Sequence, residues 1–239
     1  MLLILYSSPF LFSQQFEPIQ PAGTSSALEE AYLVSKRKEM VQLLRTRYNL
    51  DNPELLTAFE AIPRHLFVPD NLLRMAYRMS YLPLGDGQVL PEPGLLAAIL
   101  SSLKVAPVDR VLIAGASTPY TAALISSLAS QVFVIEGIRE QYETGLNQFR
   151  SLGLDNIFIK QGISFGGWRE EAPFDCILIH GSVEYIPALV MDMLTPDGRL
   201  ICSLADPSGF QMLLLVEKRN NQLSIRSSGQ SFFPFLDFL

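Results

Sequence analysis

Glu136 lies 21 residues after Gly115, and each closes an apolar run. The first run, with the turn after it, reads VLIAGASTPY, Val111 to Tyr120; the second reads QVFVIE. A strand, a small-residue turn and a helix, followed by an acid at the tip of the next strand, is the pattern of a nucleotide-binding fold. The turn lets a ligand approach the backbone, and the carboxylate accepts hydrogen bonds from ribose hydroxyls. Such turns usually carry several glycines, because a Cβ keeps the ligand away. Here Gly115 stands alone between Val111 and Tyr120. The competing reading of Glu136 is a solvated acid ending a strand.

Other reactive residues form weaker constellations. Cys176 and Cys202 sit in the apolar runs FDCILIH and RLICSL, which read as buried strands with core thiols. Cys176 and His180 are four residues apart on one run. A strand separates their Cα atoms by roughly 13 Å at about 3.3 Å per residue, which excludes a dyad. Nothing has metal-ligand spacing. GASTP is one residue from the nucleophile elbow G-x-S-x-G, with Ser117 as nucleophile. That hydrolase order needs a histidine after the acid, and none follows His180.

The elements that must position these residues alternate. RVLIAG, QVFVIEG, IFIKQG, FDCILIH and RLICSLA read as strands, and PYTAALISSLA, REQYETGLNQFRSLG and IPALVMDML as helices. This predicts an α/β fold with a mostly parallel central sheet covered by helices on both faces. Ligands in such sheets bind at the carboxyl ends of the strands. QMLLLVEKR and LSIRSSGQ read as a terminal hairpin around Asn220 and Asn221. Upstream, Ser25 to Tyr48 is a helical stripe. Asp51 and Asn52 before Pro53 make the cap and first turn of a second helix, Pro53 to Ile62, which Pro63 ends. RHLFVPDNLLRMAY reads as a turn and a helix, with His65 satisfying a backbone group. YLPLGDGQVLPEPG reads as a loop, and Leu95 to Leu103 as a buried helix.

The chain has 239 residues, 49% of them hydrophobic, and a net charge of −6. With a mean hydropathy of +0.24 it has ample core for one α/β domain. The acidic balance excludes nucleic acid as a partner, and the short KRK at Lys36 to Lys38 reads as a solvated helix face. Residues 1–24 read as an apolar segment and linker, and 25–239 as one domain. Its helical part covers about 25–104 and its α/β core about 105–239. The segment MLLILYSSPFLFSQQ falls short of the about 20 residues a bilayer requires. It reads either as a docked apolar segment or as a secretory signal, although no Lys or Arg precedes its apolar run.

In combination and order, several stretches resemble the protein-L-isoaspartate O-methyltransferases. They are IPRHLFVP (Ile62 to Pro69), Ala76–Tyr77, LPLGDGQ (Leu82 to Gln88), RVL (Arg110 to Leu112), GGW (Gly166 to Trp168), APFD (Ala172 to Asp175), PDGRL (Pro196 to Leu200) and FFPFL (Phe232 to Leu236). The resemblance runs from about Met40 to Leu236. It implies a Rossmann-like methyltransferase fold, S-adenosylmethionine as methyl donor, and L-isoaspartyl carboxylates of damaged proteins as acceptor. It implies a cytoplasmic location, against export if residues 1–15 act as a signal. It places the cofactor at Gly115, Ala116, Tyr120, Glu136, Gly162 and Ile163, and the acceptor at Gly87, Gln88, Val89 and Pro91.

The chain departs from the family's pattern at those same places. Against VLEIGTGSGY it has Ile113 for the acid, and Ser117 and Pro119 for the second and third glycines. Against GDG it has Gly162, Ile163 and Ser164, so an aspartate beside the adenine becomes Ile163. Against GQTISQP it has GQVLPEP, so Pro91 replaces the active-site serine. VTAA becomes Ile179, His180, Gly181 and Ser182. A non-glycine residue forced to positive φ costs about 1–3 kcal/mol. A lost charge-assisted hydrogen bond removes roughly 1.5–3 kcal/mol more. At about 1.4 kcal/mol per tenfold, cofactor affinity is expected to fall by powers of ten. Three functions stay open: a divergent methyltransferase with reduced or lost activity, a binding or scaffold protein on the same fold, and a serine hydrolase using Ser117.

Overall fold

In the computed structural model the apolar runs assemble one seven-stranded sheet beneath an N-terminal helical layer. Residues 23–85, 87–115, 118–220, 222–230, 233 and 236 are described. The proposed signal segment, Asp86, Ala116, Ser117 and most of FFPFL lie outside them.

The helical layer begins with α1 (Gly23–Arg47) and α2 (Pro53–Ala61). Of the two cap candidates, Asn52 caps α2: its side chain accepts from the Leu55 N–H at 2.7 Å, and Pro53 occupies the first turn. Instead of a turn and a helix, two 3₁₀ turns follow, Arg64–Phe67 and Asp70–Met75. Pro63 and Pro69 precede them and keep each piece too short for an α-helix. The expected loop carries a small antiparallel hairpin, β1 (Leu82–Gly85) and β2 (Gln88–Leu90), pairing Leu82 with Leu90. Gly85 and Gly87 take φ of +98° and +73°, which a tight reversal requires. Helix α3 (Pro93–Leu103) completes the layer and ends at Lys104 in a left-handed conformation.

The α/β part runs β3 (Arg110–Gly115), α4 (Pro119–Ser126), β4 (Gln131–Glu136), α5 (Arg139–Ser151) and β5 (Ile157–Gln161). After a 3₁₀ segment, Phe165–Glu171, come β6 (Phe174–Val183), a five-residue α6 (Ala188–Asp192) and β7 (Leu194–Ala205). The sheet ends in the antiparallel strands β8 (Gln211–Arg219) and β9 (Gln222–Gln230). Its order is β5-β4-β3-β6-β7-β8-β9, with β3 to β7 parallel. The mostly parallel, doubly covered sheet expected from the sequence is therefore what forms.

Alternate residues divide the core between the two faces. Val111, Ile113, Val134 and Leu178 pack with Leu44, Phe59 and Leu96 of the helical layer. Leu112, Ala114, Phe133 and Ile177 pack with Phe165, Val190 and Met193 on the other side. The sheet order reverses between β3 and β6, and their carboxyl ends open the crevice where such folds bind ligands.

At the opposite, amino edge, charged groups close on each other. The Arg110 N–H donates to Asp175 Oδ2 at 2.9 Å, and its guanidinium reaches the Glu171 carbonyl at 2.7 Å and Oε2 at 2.9 Å. Arg199 pairs with Asp109 at 2.7 Å.

Candidate functional site

Parallel register aligns four residues across the strand tips. Gln161 faces Glu136, Glu136 faces Gly115, and Gly115 faces His180. Gly115 is needed here for strand packing: a Cβ would lie 2.1 Å from the His180 carbonyl oxygen. The glycine that reads as room for a ligand is thus already required by β6. Ala116 and Ser117, which come after it, lie outside the described residues.

Glu136 is buried, and groups of the chain itself engage its carboxylate. Oε2 accepts from the Thr118 N–H and the Thr118 hydroxyl, both at 2.8 Å, and Oε1 accepts from the Ile138 N–H at 2.9 Å. The negative charge therefore sits at the start of α4, where unpaired N–H groups and the helix dipole favour it. Thr118 is the residue before α4, yet its hydroxyl bonds Glu136 rather than capping the helix. Pro119 takes the first helical position, as its fixed φ suits.

Beyond β5, the Gly162 N–H donates to the Glu136 carbonyl at 3.0 Å, placing this turn against the tip of β4. Ile163 next to it is 57% exposed, an apolar side chain standing in solvent at the carboxyl edge. On the other flank His180 is buried. Its Nε2 lies 2.9 Å from Thr121 Oγ1, and its ring meets Phe233 edge-on. Phe233 and Leu236 are each tied to this part of the sheet. The Gln211 amide bonds both the N–H and the carbonyl of Phe233, at 2.8 and 2.9 Å. The Leu236 N–H donates to the Ser182 carbonyl at 2.9 Å, with its side chain against Gly181.

The acceptor candidates lie on the hairpin. Gly87 is exposed, Gln88 and Val89 are half-buried, and Pro91 is buried. Tyr120, which the resemblance places at the cofactor, is fully buried at the start of α4. Its ring lies 5.0 Å from the guanidinium carbon of Arg64, and burial pushes its phenol well above the ordinary range. Its hydroxyl finds no hydrogen-bond partner among the described residues.

Arg64 is the residue that sequence reading passed over. It is fully buried, with Nε donating to the Ala76 carbonyl and Nη2 to the Pro91 carbonyl, each at 2.8 Å. Burial lowers its guanidinium to about 10, still cationic at neutral pH. The one hint was an arginine flanked by Pro63 and an apolar run, in a stretch that carries the family resemblance. Its neighbour His65 bonds the Tyr77 hydroxyl through Nδ1 at 2.7 Å, not the backbone group expected.

Neither cysteine is poised as a nucleophile, and Ser117 lies outside the described residues. Burial pushes both the Cys176 and Cys202 thiols up to about 12, so both stay protonated near neutral pH. Cys176 bonds toward Asp109 at the amino edge, while His180 bonds Thr121. No group of three or more metal-ligating side chains occurs among the described residues. None of the described helices is long and apolar enough to cross a membrane.

Comparison with known proteins agrees with this architecture. The family model for protein-L-isoaspartate(D-aspartate) O-methyltransferase matches residues 35–236. Protein-L-isoaspartate O-methyltransferase 2 of Shewanella sediminis is 37% identical over 235 residues, 98% of this chain and 94% of its own. The Pelotomaculum thermopropionicum protein-L-isoaspartate O-methyltransferase is 31% identical, covering 83% of this chain and 86% of its own. A solved protein-L-isoaspartate O-methyltransferase superimposes with a TM-score of 0.76 at 24% identity, covering 83% of this chain and 65% of that one. A Plasmodium falciparum structure described as a β-aspartate methyltransferase in complex with S-adenosyl-L-homocysteine gives 0.73 at 17% identity, covering 85% and 99%. The chain belongs to the protein-L-isoaspartate(D-aspartate) O-methyltransferase family.

Proposed function

We propose that this chain transfers a methyl group from S-adenosylmethionine to L-isoaspartyl carboxylates of damaged proteins, with turnover reduced by its altered site. The observation that carries this is Glu136 at the tip of β4, in register with Gly115, in a chain of this family. The residues present fit the cofactor in kind. Glu136 offers a carboxylate for ribose hydroxyls. Exposed Ile163 offers an apolar face to the adenine, without the acceptor that an aspartate supplies.

When bound, the cofactor supplies an electrophilic methyl group. With the cofactor in place, the acceptor carboxylate oxygen would take that methyl group and the sulfur would keep the electron pair of the bond that breaks. An ionised carboxylate has no proton to give up, so no general base is needed near neutral pH. What the protein must supply is proximity and alignment. Pro91 therefore costs orientation rather than proton transfer: it offers neither hydroxyl nor N–H to the acceptor. Glu136 costs affinity, because a ribose hydroxyl must share the carboxylate with Thr118 and Ile138.

A second reading, a binding or scaffold protein without turnover, is favoured by that same internal engagement of Glu136. Methyl-label transfer to an isoaspartyl peptide, with the matching aspartyl peptide as control, separates the two. Transfer to the isoaspartyl peptide alone is expected. Micromolar cofactor binding by calorimetry with no transfer above buffer would overturn the enzymatic reading; neither binding nor transfer would overturn both enzyme and cofactor assignments.

A further inference from the structure

The loop after β2 is gripped by two side chains from the helical layer. Arg64 Nη2 holds the Pro91 carbonyl at 2.8 Å, and the Tyr48 hydroxyl donates to the Glu92 carboxylate. Arg64 alone also reaches the other half of the site. Its guanidinium lies 5.0 Å from the Tyr120 ring centroid, in the first turn of α4. Two residues before Tyr120, Thr118 bonds Glu136. A continuous path therefore runs from Pro91 through Arg64 to Tyr120, Thr118 and Glu136.

We infer that Arg64 is a positioning residue, setting the acceptor loop at Pro91 against the cofactor edge of α4 and β4. This rests on the methyltransferase reading above.

The choice of side chain supports it. A buried cation is costly, and an apolar residue of similar length would fill the space more cheaply. Among the described residues its hydrogen bonds go to two main-chain carbonyls, 12 and 27 residues away, and Nη1 finds no partner. A planar fork that holds two carbonyls while lying over an aromatic ring fixes three segments at once. Lysine has the charge but lacks the fork. Because the bond is to the carbonyl of residue 91, it does not depend on which side chain stands there. The loop can keep its placement even though Pro91 offers no hydroxyl.

The test uses Arg64→Met and Arg64→Lys in the full chain, with three measurements. A misplacement of about 1 Å costs on the order of 100-fold in rate. Arg64→Met is accordingly expected to lower kcat for an isoaspartyl peptide by roughly 100-fold. Its S-adenosylmethionine dissociation constant should stay within about threefold, a difference under 1.4 kcal/mol. Arg64→Lys should recover part of kcat. Amide hydrogen exchange over Gln88 to Leu90 should quicken in Arg64→Met while β4 keeps its protection. An unchanged kcat overturns the inference, as does exchange that quickens equally in both places, which would mark a merely structural residue. If the unaltered chain transfers no methyl group, the methyltransferase reading fails instead. The exchange measurement then decides alone: selective loosening upholds the clamp, and anything else overturns it.

Discussion

The two ends of one sheet have parted ways. At the amino edge the motif residues Arg110, Asp175 and Arg199 are spent on each other's neighbours: Arg110 on Asp175 and Glu171, Arg199 on Asp109. These belong to RVL, APFD and PDGRL, which carry the family resemblance. At the carboxyl edge stand three of the departures, Pro119, Ile163 and His180. Groups at the amino edge work by holding strands together, so any replacement must still close the same ion pairs. Groups at the carboxyl edge stand where folds of this class bind ligands. Resemblance read from the first set thus secures the architecture.

Gly115 is the exception that can break this division, because it sits at the ligand edge and serves the fold. Gly115→Ala places a Cβ 2.1 Å from the His180 carbonyl at a φ of +153°. Strain at that φ costs roughly 1–3 kcal/mol, and overpacking adds about 1–3 kcal/mol. The thermal midpoint should fall by at least about 5 °C, from about 2–4 °C per kcal/mol in a chain of this size. A midpoint within about 1 °C of the unaltered chain would restore Gly115 to the ligand alone.

Glu136 comes next, with a foot in both roles. In Glu136→Gln one amide oxygen must serve two sets of donors. Either the Thr118 N–H or the Ile138 N–H then faces an NH₂ group. An orphaned donor of this kind costs about 1–3 kcal/mol. Denaturant unfolding measures that loss without any ligand. Unchanged stability would mean that the carboxylate is held for the cofactor and not for α4.

Ile163 is the exposed residue of this edge. At 57% exposure, Ile163→Asp should leave stability within about 0.5 kcal/mol. Under the proposed function, in which this turn meets the adenine, the new acceptor should tighten S-adenosylmethionine about tenfold or more, from roughly 1.5–3 kcal/mol for a charge-assisted bond. Calorimetry on the folded variant reads this directly. Equal affinities would show that the altered turn does not limit cofactor binding.

The same division explains what the sequence could disclose. β3 and β4 are buried on both faces, so each reads as an unbroken apolar run. Glu136 was legible as the last residue of its run. Its partner Thr118 was not, because only the parallel register of β3 and β4 brings the following turn onto it. The hairpin at Leu82 to Leu90 escaped notice because strands of four and three residues, one containing Pro83, carry too little alternation. Arg64 was hidden more deeply. Arginine is ordinarily exposed, and its burial depends on carbonyls supplied by two distant segments.

His65, beside Arg64, offers the mildest test of how tightly the helical layer is closed. Burial lowers its pKa from the ordinary 6.5; Glu30 opposes the shift and Arg37 adds to it. Tyr77 meets its Nδ1 at 2.7 Å. Since the folded value lies below the unfolded one, between the two the unfolded chain binds a proton that the folded chain refuses. The stability contributed by the neutral ring is fully present above about pH 6.5. It is lost as pH falls through that value toward the folded pKa. Urea midpoints measured at about pH 7.5 and 5.5, on either side of the unfolded histidine value, should therefore drop further in the unaltered chain than in His65→Gln. Parallel drops in the two proteins would mean that the ring reaches water, and that the layer holding Arg64 is more open than its burial shows.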